Sequence, residues 1–310
     1  MREDNIVIRT RGLTRYFGRK AALKNLTLDV PRGRVTALVG RNGAGKTTLI
    51  RLLLGLLPPT RGRSELLGCD SQSLTPQVRT RVGYLAEGHF LWRWMRVRDA
   101  ARWQRETFPR WDQSLFDAIL KFFTVDPQDC VRQISRGQRA GVSLAMTLAT
   151  DPELLVLDDP STGLDPIARR ALVEGLLAFA RRDDRTIFIC THLLDDVERL
   201  ADRIAVISNG RLLVDAGLSD FRERVGGWIV DTELEAAQVA RIPRLIDSRQ
   251  VGEHTQQLVV ADPDHDTEAA IQRISGSARR EPLTLEDAVL AYLRPAATTG
   301  SISDALENSQ

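Results

Sequence analysis

The apolar positions of the chain change period several times, and each change predicts an element. Nearly continuous apolar runs at residues 35–39, 154–157 and 186–190 read as strands buried on both faces. Runs at 6–10 and 26–30 precede the turn Pro31-Arg32-Gly33, while 65–67 and 81–85 are short segments expected to pair in one sheet. Helical spacing governs 48–54, 88–149 and 193–200. Apolar runs at 203–207 and 212–214 flank Asn209-Gly210, a dipeptide that favours a tight hairpin turn. Beyond Gly226-Gly227 the pattern changes to strands at 228–230, 244–246 and 257–260 and helices at 266–274 and 284–293, the last with a capping signal at its start. Parallel strands alternating with helices predict an α/β fold with a doubly wound core over 1–225. A helical subdomain is inserted at about 88–150, and a small α/β accessory domain covers 226–294. The small, polar stretch 295–310 is expected to be disordered.

The stretch that organises the rest is the loop after the strand at 35–39. Gly40-Arg41-Asn42-Gly43-Ala44-Gly45-Lys46-Thr47 joins that strand to the helical pattern beginning at Thr48, the context a phosphate-binding loop requires. Its glycines let consecutive amides point into one concavity at a helix start, where phosphate oxygens are held. Lys46 is placed to reach the outer phosphates, and the Thr47 hydroxyl to ligate the magnesium that bridges them. Two further strand ends carry chemistry. Asp158 and Asp159 close the strand at 154–157, suiting Asp158 to magnesium and Asp159 to an attacking water as general base or water-positioning group. His192, one of four histidines, follows the strand at 186–190, at the edge where open α/β sheets bind ligands, and could donate to a terminal phosphate. Ser135, in Ser135-Arg136-Gly137-Gln138, is positioned to cap the helix that follows and so to build a second anion site. Phe17, before Gly18, is an aromatic able to stack on a purine ring.

Composition narrows the class without choosing a substrate. The net charge of +2 over 310 residues gives no overall field for nucleic acid or an acidic membrane. Cys69, Cys130 and Cys190 lack paired or metal-binding spacing and read as reduced, hence cytoplasmic. No apolar window reaches membrane-spanning length and no export signal is apparent, so the chain is expected neither to cross a membrane nor to be exported by itself. Trp92, Trp94, Trp103 and Trp111 are interleaved with Arg93, Arg96, Arg98, Arg102, Arg105 and Arg110. That mixture fits single-stranded nucleic acid, a protein interface, or a helical core with a solvated basic face.

Taken jointly, these residues resemble the ATP-binding subunit of an ABC transporter over about residues 5–225. In order they supply the aromatic loop at Phe17, Walker A at Gly40–Thr47, the Q-loop position at Glu87, the signature at 134–138, Walker B at Asp158-Asp159, the D-loop at Asp165 and the switch histidine His192. The resemblance implies a P-loop ABC ATPase core with an antiparallel β subdomain. It places nucleotide at Phe17, Gly40, Arg41, Asn42, Gly43, Ala44, Gly45, Lys46, Thr47 and Thr48, magnesium at Thr47, Asp158 and Glu87, and catalysis at Asp159, His192 and Glu87. It further implies ATP and Mg2+ as ligands and a head-to-tail dimer in which Ser135, Arg136, Gly137 and Gln138 face the partner's ATP. Separate integral membrane permease subunits, of exporter type, would hold the chain at the inner face of the membrane, with no nucleic acid partner.

Three positions depart from the family pattern. Asp159 replaces the usual glutamate and is one methylene shorter; a misplacement of order 1 Å can cost about a hundredfold in rate, so slow turnover is expected. Glu87 replaces glutamine and adds negative charge near the triphosphate. Arg136 replaces a glycine, either as a cation for the phosphate across the dimer or as an exposed arginine without a role. These departures leave open a homodimer or a heterodimer with a more competent partner, and a subunit that binds ATP with little turnover. A soluble ABC ATPase acting on nucleic acid or the ribosome is the remaining alternative. The accessory domain implies dimer contacts or regulation, or a stabilising cap.

Overall fold

The computed structural model describes residues 5–182, 184–232, 234–252 and 254–294. The expectation of disorder at 295–310 lies outside them. The chain divides into two compact units between Leu218 and Ser219.

The first unit begins with β1 (Ile6–Phe17) and β2 (Lys20–Pro31), a long hairpin closed at Phe17 and Lys20. β3 (Val35–Val39) is buried along its whole length and leads through the glycine-rich loop into α1 (Lys46–Leu53). β4 (Arg61–Leu66) and β5 (Cys69–Asp70) complete a four-stranded antiparallel sheet of order β2-β1-β4-β5. After the single turn α2 (Pro76–Arg79) comes β6 (Val82–Leu85). The helical insertion consists of α3 (Val97–Thr107), α4 (Gln113–Phe122) and α5 (Arg136–Ala149). β7 (Leu154–Asp158), α6 (Pro166–Ala180), β8 (Thr186–Thr191), α7 (Leu194–Leu200), β9 (Arg203–Ser208) and β10 (Arg211–Gly217) finish the unit.

The main sheet has the order β10-β9-β3-β8-β7-β6, parallel throughout except for the β9–β10 hairpin. Every residue of β3, β7 and β8 is buried, which explains their unbroken apolar runs. α1 lies between the two sheets: Leu49, Ile50, Leu52 and Leu53 share one core with Ile8 and Leu13 from one sheet and Leu38, Val156 and Phe188 from the other. The helical insertion has its own core, formed by Val97, Phe116, Leu120 and Val142.

Four expectations change. Residues 65–67 and 81–85 do not share a sheet: β4 pairs β1, and β6 pairs β7. Both segments alternate partly buried and buried positions, so their local patterns do not distinguish them, and the choice of sheet is made by the strands they meet, β1 and β7. The strand run 6–10 extends to Phe17 because Arg9, Arg11 and Arg15 occupy outward positions of a half-exposed strand. The helical reading of 88–149 fails for its first residues, where 88–96 form a strap pinned by Val131 N to Met95 O and Arg132 N to Arg93 O, both 3.0 Å. Finally, Gly226 and Gly227 lie inside a strand, and the division between the units falls seven residues earlier than 225/226.

The second unit is built from α8 (Leu218–Glu223), β11 (Val225–Val230), α9 (Ala236–Val239), β12 (Leu245–Gly252), β13 (Thr255–Ala261), α10 (His265–Ile274), β14 (Arg279–Glu281) and α11 (Leu285–Leu293). Its sheet is wholly antiparallel, in the order β12-β13-β11-β14, over a core of Trp228, Val230, Leu258, Val260 and Ile271.

Candidate functional site

Four parallel strands deliver side chains to the same edge of the main sheet. β3 ends at Val39, just before Gly40, β7 at Asp158, β8 at Thr191, and β6 two residues before Glu87. Adjacent carboxyl ends of this kind form the crevice in which open α/β sheets bind ligands.

The glycine-rich loop is moulded from outside. Gly45 is the N-cap of α1 at φ 113°, and a Cβ there would come within 2.6 Å of Ala22 O and 2.7 Å of Leu23 Cδ2. Only glycine fits that angle and that contact. From the far side the β9–β10 turn reaches the loop: Gly210 N donates to Ala44 O at 2.9 Å, and Lys24 N donates to Gly210 O at 2.8 Å. No side chain caps α1, so the amides of its first turn remain for an anion.

Lys46 is buried, with Nζ donating to Gly40 O at 2.7 Å and standing 3.6 Å from Asp159 Oδ2. Thr47 Oγ1 donates to Asp158 Oδ1 at 3.1 Å. A hydroxyl and a carboxylate converging beside a phosphate loop are the hard oxygen donors magnesium takes when phosphates and water complete its shell. Burial pushes the Asp158 carboxyl above its ordinary range, the Asp159 and Glu87 charges add to this, and the Thr47 hydroxyl and Lys46 oppose it. A cation placed there would reverse that balance.

Asp159 is also buried, in the left-handed region at φ 43°. Its backbone is fixed by Asp159 N donating to Cys190 O (2.8 Å) and Thr162 N donating to Asp159 O (3.2 Å). Its carboxylate Oδ1 accepts from His192 N at 3.1 Å and lies 2.8 Å from His192 Nδ1. The two strand ends are thereby joined, and Asp159 is oriented by both Lys46 and His192. Cys190, directly beneath, is wholly buried, and burial raises its thiol well above the usual range, so it is inert.

The segment 135–138 forms a second group. Ser135 Oγ accepts from Gln138 N at 3.1 Å while Gln138 Oε1 accepts from Ser135 N at 2.9 Å, a reciprocal cap on α5. Gln138 Nε2 donates to Thr124 O at 2.8 Å. Arg136 turns back onto its own chain, Nη2 donating to Thr162 O at 3.0 Å. Asp165 caps α6, accepting from Ile167 N at 3.0 Å and Ala168 N at 2.9 Å. The turn 159–165 is thus the link between this group and the Lys46–Asp159 cluster. Glu87 is exposed at the cluster's margin, and Phe17 is half-exposed at the tip of the β1–β2 hairpin with the Arg15 guanidinium 4.9 Å from its ring centre.

Two contributors escaped the sequence reading. One is Arg15, which covers one face of Phe17 and also donates to Pro58 O at 2.8 Å. The other is His89, 3 % exposed and at φ 51°, whose ring nitrogens make no hydrogen bond of good geometry among the described residues. Burial holds its ring below the usual imidazole range; the Arg136 and Arg139 charges reinforce this and the Pro160 carbonyl opposes it. His89 therefore packs as a neutral wedge beside Pro160 and α5. Its signal was a rare histidine immediately after Gly88, two residues past Glu87.

Comparison with known proteins bears on this arrangement. Residues 23–162 match the family model described as ABC transporter. The chain is 32 % identical over 289 residues to the daunorubicin resistance ATP-binding protein DrrA3 of Streptomyces coeruleorubidus, covering 90 % of each chain. A stretch of that length extends beyond Leu218, so the likeness includes part of the second unit. It is 35 % identical over 215 residues to the Nod factor export ATP-binding protein I of Bradyrhizobium diazoefficiens, covering 68 % of this chain and 70 % of the relative. Among solved structures, one described as the ATP binding subunit of an ABC transporter superposes with a TM-score of 0.64 at 26 % identity, over 70 % of this chain and 92 % of that one.

Proposed function

Because the chain belongs to the ABC transporter ATP-binding family, we propose that it hydrolyses magnesium ATP at the Lys46–Asp159 cluster and drives a separate membrane permease. The observation that carries this reading is the convergence of Lys46, the Thr47–Asp158 pair and the Asp159–His192 pair on one sheet edge. Phosphates lie on the amides of Gly40–Thr48 and on Lys46, with the base against the free face of Phe17. Thr47 and Asp158, with Glu87 beside them, would hold magnesium, which would neutralise charge on the phosphates. Asp159 orients a water toward the γ-phosphorus and takes its proton as the bond to the β-phosphate oxygen breaks, giving ADP and phosphate. His192 holds Asp159 and reaches the terminal phosphate. The shorter side chain of Asp159 makes turnover slow.

The remaining motifs serve assembly. Ser135, Gly137 and Gln138, with the backbone of Arg136, face the ATP of a second subunit and Asp165 lies at the dimer contact, so that ATP closes the pair and hydrolysis opens it. The permease docks on the strap after Glu87, where Phe90 is 92 %, Trp92 63 % and Trp94 75 % exposed, far more apolar surface than an unpartnered loop needs to show. Among the described residues no helix is long and apolar enough to cross a membrane, which fits attachment at the cytoplasmic face through that permease. Relatives named for daunorubicin resistance and Nod factor export favour an exporter.

The test is phosphate release by the protein purified with its co-isolating membrane protein, with Asp159→Asn as the control. Hydrolysis that this substitution abolishes supports the motor. A second reading, an ATP-binding regulatory subunit, is favoured by the engagement of Asp159 with both Lys46 and His192. ATP binding without phosphate release in either protein establishes that alternative.

A further inference from the structure

Arg136 begins α5, yet its side chain runs toward the turn after β7 rather than away from the chain. Besides the bond from Nη2 to Thr162 O, the guanidinium lies flat against Gly163, where a Cβ would overlap its carbon and both terminal nitrogens. Gly163 is at φ 70°, so the backbone there is both turned and bare to receive the planar group. A second close contact lies alongside: a Cβ on Gly137 would stand 2.8 Å from Cβ of Ala168, in the first turn of α6. Thr162 in turn donates its amide to Asp159 O, and the Asp159 carboxylate engages His192 and Lys46. A continuous path therefore runs from the start of α5 through Arg136, Thr162 and Asp159 to the phosphate loop.

We propose that Arg136 is a positioning residue that clasps the start of α5 to the 159–163 turn of its own subunit, so that the state of Asp159 is transmitted to segment 135–138. This rests on the reading of the Lys46–Asp159 cluster as the ATP site and of 135–138 as facing a partner's nucleotide. Under it, each subunit's own ATP sets the placement of the segment it offers to the other site, and the two sites of a dimer are coupled through Arg136. Glycine at this position could not make the link, since it offers neither the donor nor the plate that covers Gly163.

The experiment is amide hydrogen exchange on the full chain, with and without magnesium ATP, for wild type, Arg136→Met and Arg136→Lys. Methionine keeps an apolar stem but has no donor; lysine restores one. In the free protein, 161–164 is expected to exchange about fivefold faster in Arg136→Met, the effect of one lost hydrogen bond, and lysine to recover part of the difference. In wild type, ATP should protect 161–164 and 135–139 together, and in Arg136→Met the response at 135–139 should disappear while that at 161–164 persists. Unchanged exchange in the free variant, or an ATP response at 135–139 that survives Arg136→Met, overturns the clasp and leaves Arg136 to act on the partner's phosphate. If wild type shows no ATP response anywhere, the ATP-site reading and the transmission both fall, while the free-protein comparison still decides whether the contact forms.

Discussion

Lengthening Asp159 to glutamate separates the two demands placed on that carboxylate. The change adds one C–C bond, about 1.5 Å of reach. In the structure Oδ1 is held by His192 N at 3.1 Å and by Nδ1 at 2.8 Å, and Oδ2 lies 3.6 Å from Lys46 Nζ. The backbone at φ 43° favours aspartate, which tolerates the left-handed region better than glutamate. Losing that tolerance and part of the His192 contact should cost about 1–3 kcal/mol of folding stability. The opposing gain acts only on the chemical step: moving the carboxylate by order 1 Å toward the attacking water can be worth about a hundredfold, or roughly 2.7 kcal/mol. Thermal unfolding reads the first effect and single-turnover phosphate release with the membrane partner reads the second. Asp159→Glu should therefore melt several degrees lower and release phosphate about ten- to a hundredfold faster. A rate that falls tenfold or more, with ATP affinity and folding retained, would show that the shorter carboxylate already stands at its working distance.

Asp158→Asn should abolish the magnesium dependence of ATP binding in calorimetry while the free protein melts no lower at neutral pH, because the substitution removes a charge that burial already disfavours; magnesium-dependent binding that persists would place the ion elsewhere. Glu153 is held below the usual carboxylate range chiefly by its bonds to Arg81 at 2.8 and 2.7 Å, so its stabilisation is present above the unfolded pKa and lost as pH falls through the folded one. Glu153→Gln should cost about 1 kcal/mol in urea unfolding at neutral pH and nothing near pH ~2; a pH-independent difference would contradict it. The double substitution Trp92→Ala and Trp94→Ala should change stability by under about 0.5 kcal/mol yet reduce recovery of the membrane partner on affinity purification; undiminished recovery would move the docking surface off the strap.

What could be read in the sequence was whatever one stretch of chain decides by itself. The buried parallel strands, the glycine-rich turn that opens α1, the Asn209-Gly210 hairpin and the Ser135 cap all follow from local composition, and the structure has each of them. Partnerships between distant stretches were less visible. Nothing in residues 65–67 and 81–85 tells which sheet each joins, because their pairing partners, β1 and β7, lie far off in sequence. β14, three exposed residues, carries no apolar pattern and exists only through its pairing with β11. α6, the longest helix among the described residues, is opened by Asp165-Pro166, and its Ala168, Leu172, Val173, Leu176 and Phe179 repeat at helical spacing, a signal the sequence carries but the motif pattern overshadows. At the site, the motif positions named Asp159, His192 and Arg136, but the left-handed backbone of Asp159, its bond to His192 and the turn of Arg136 toward Thr162 are properties of the folded chain.

The glycine-rich loop is shaped by Ala22 and Leu23 on one side and by the turn at Gly210, itself held by Lys24, on the other. Its mould is therefore scattered over nearly two hundred positions of sequence. Transplanting Gly40–Thr47 into another scaffold would carry the letters without the form, and a designer would have to transfer the β2 entry and the β9–β10 hairpin as well. Conversely, a random-mutagenesis screen for lost nucleotide binding should recover changes at 22–24 and 209–210, residues that need never touch the nucleotide.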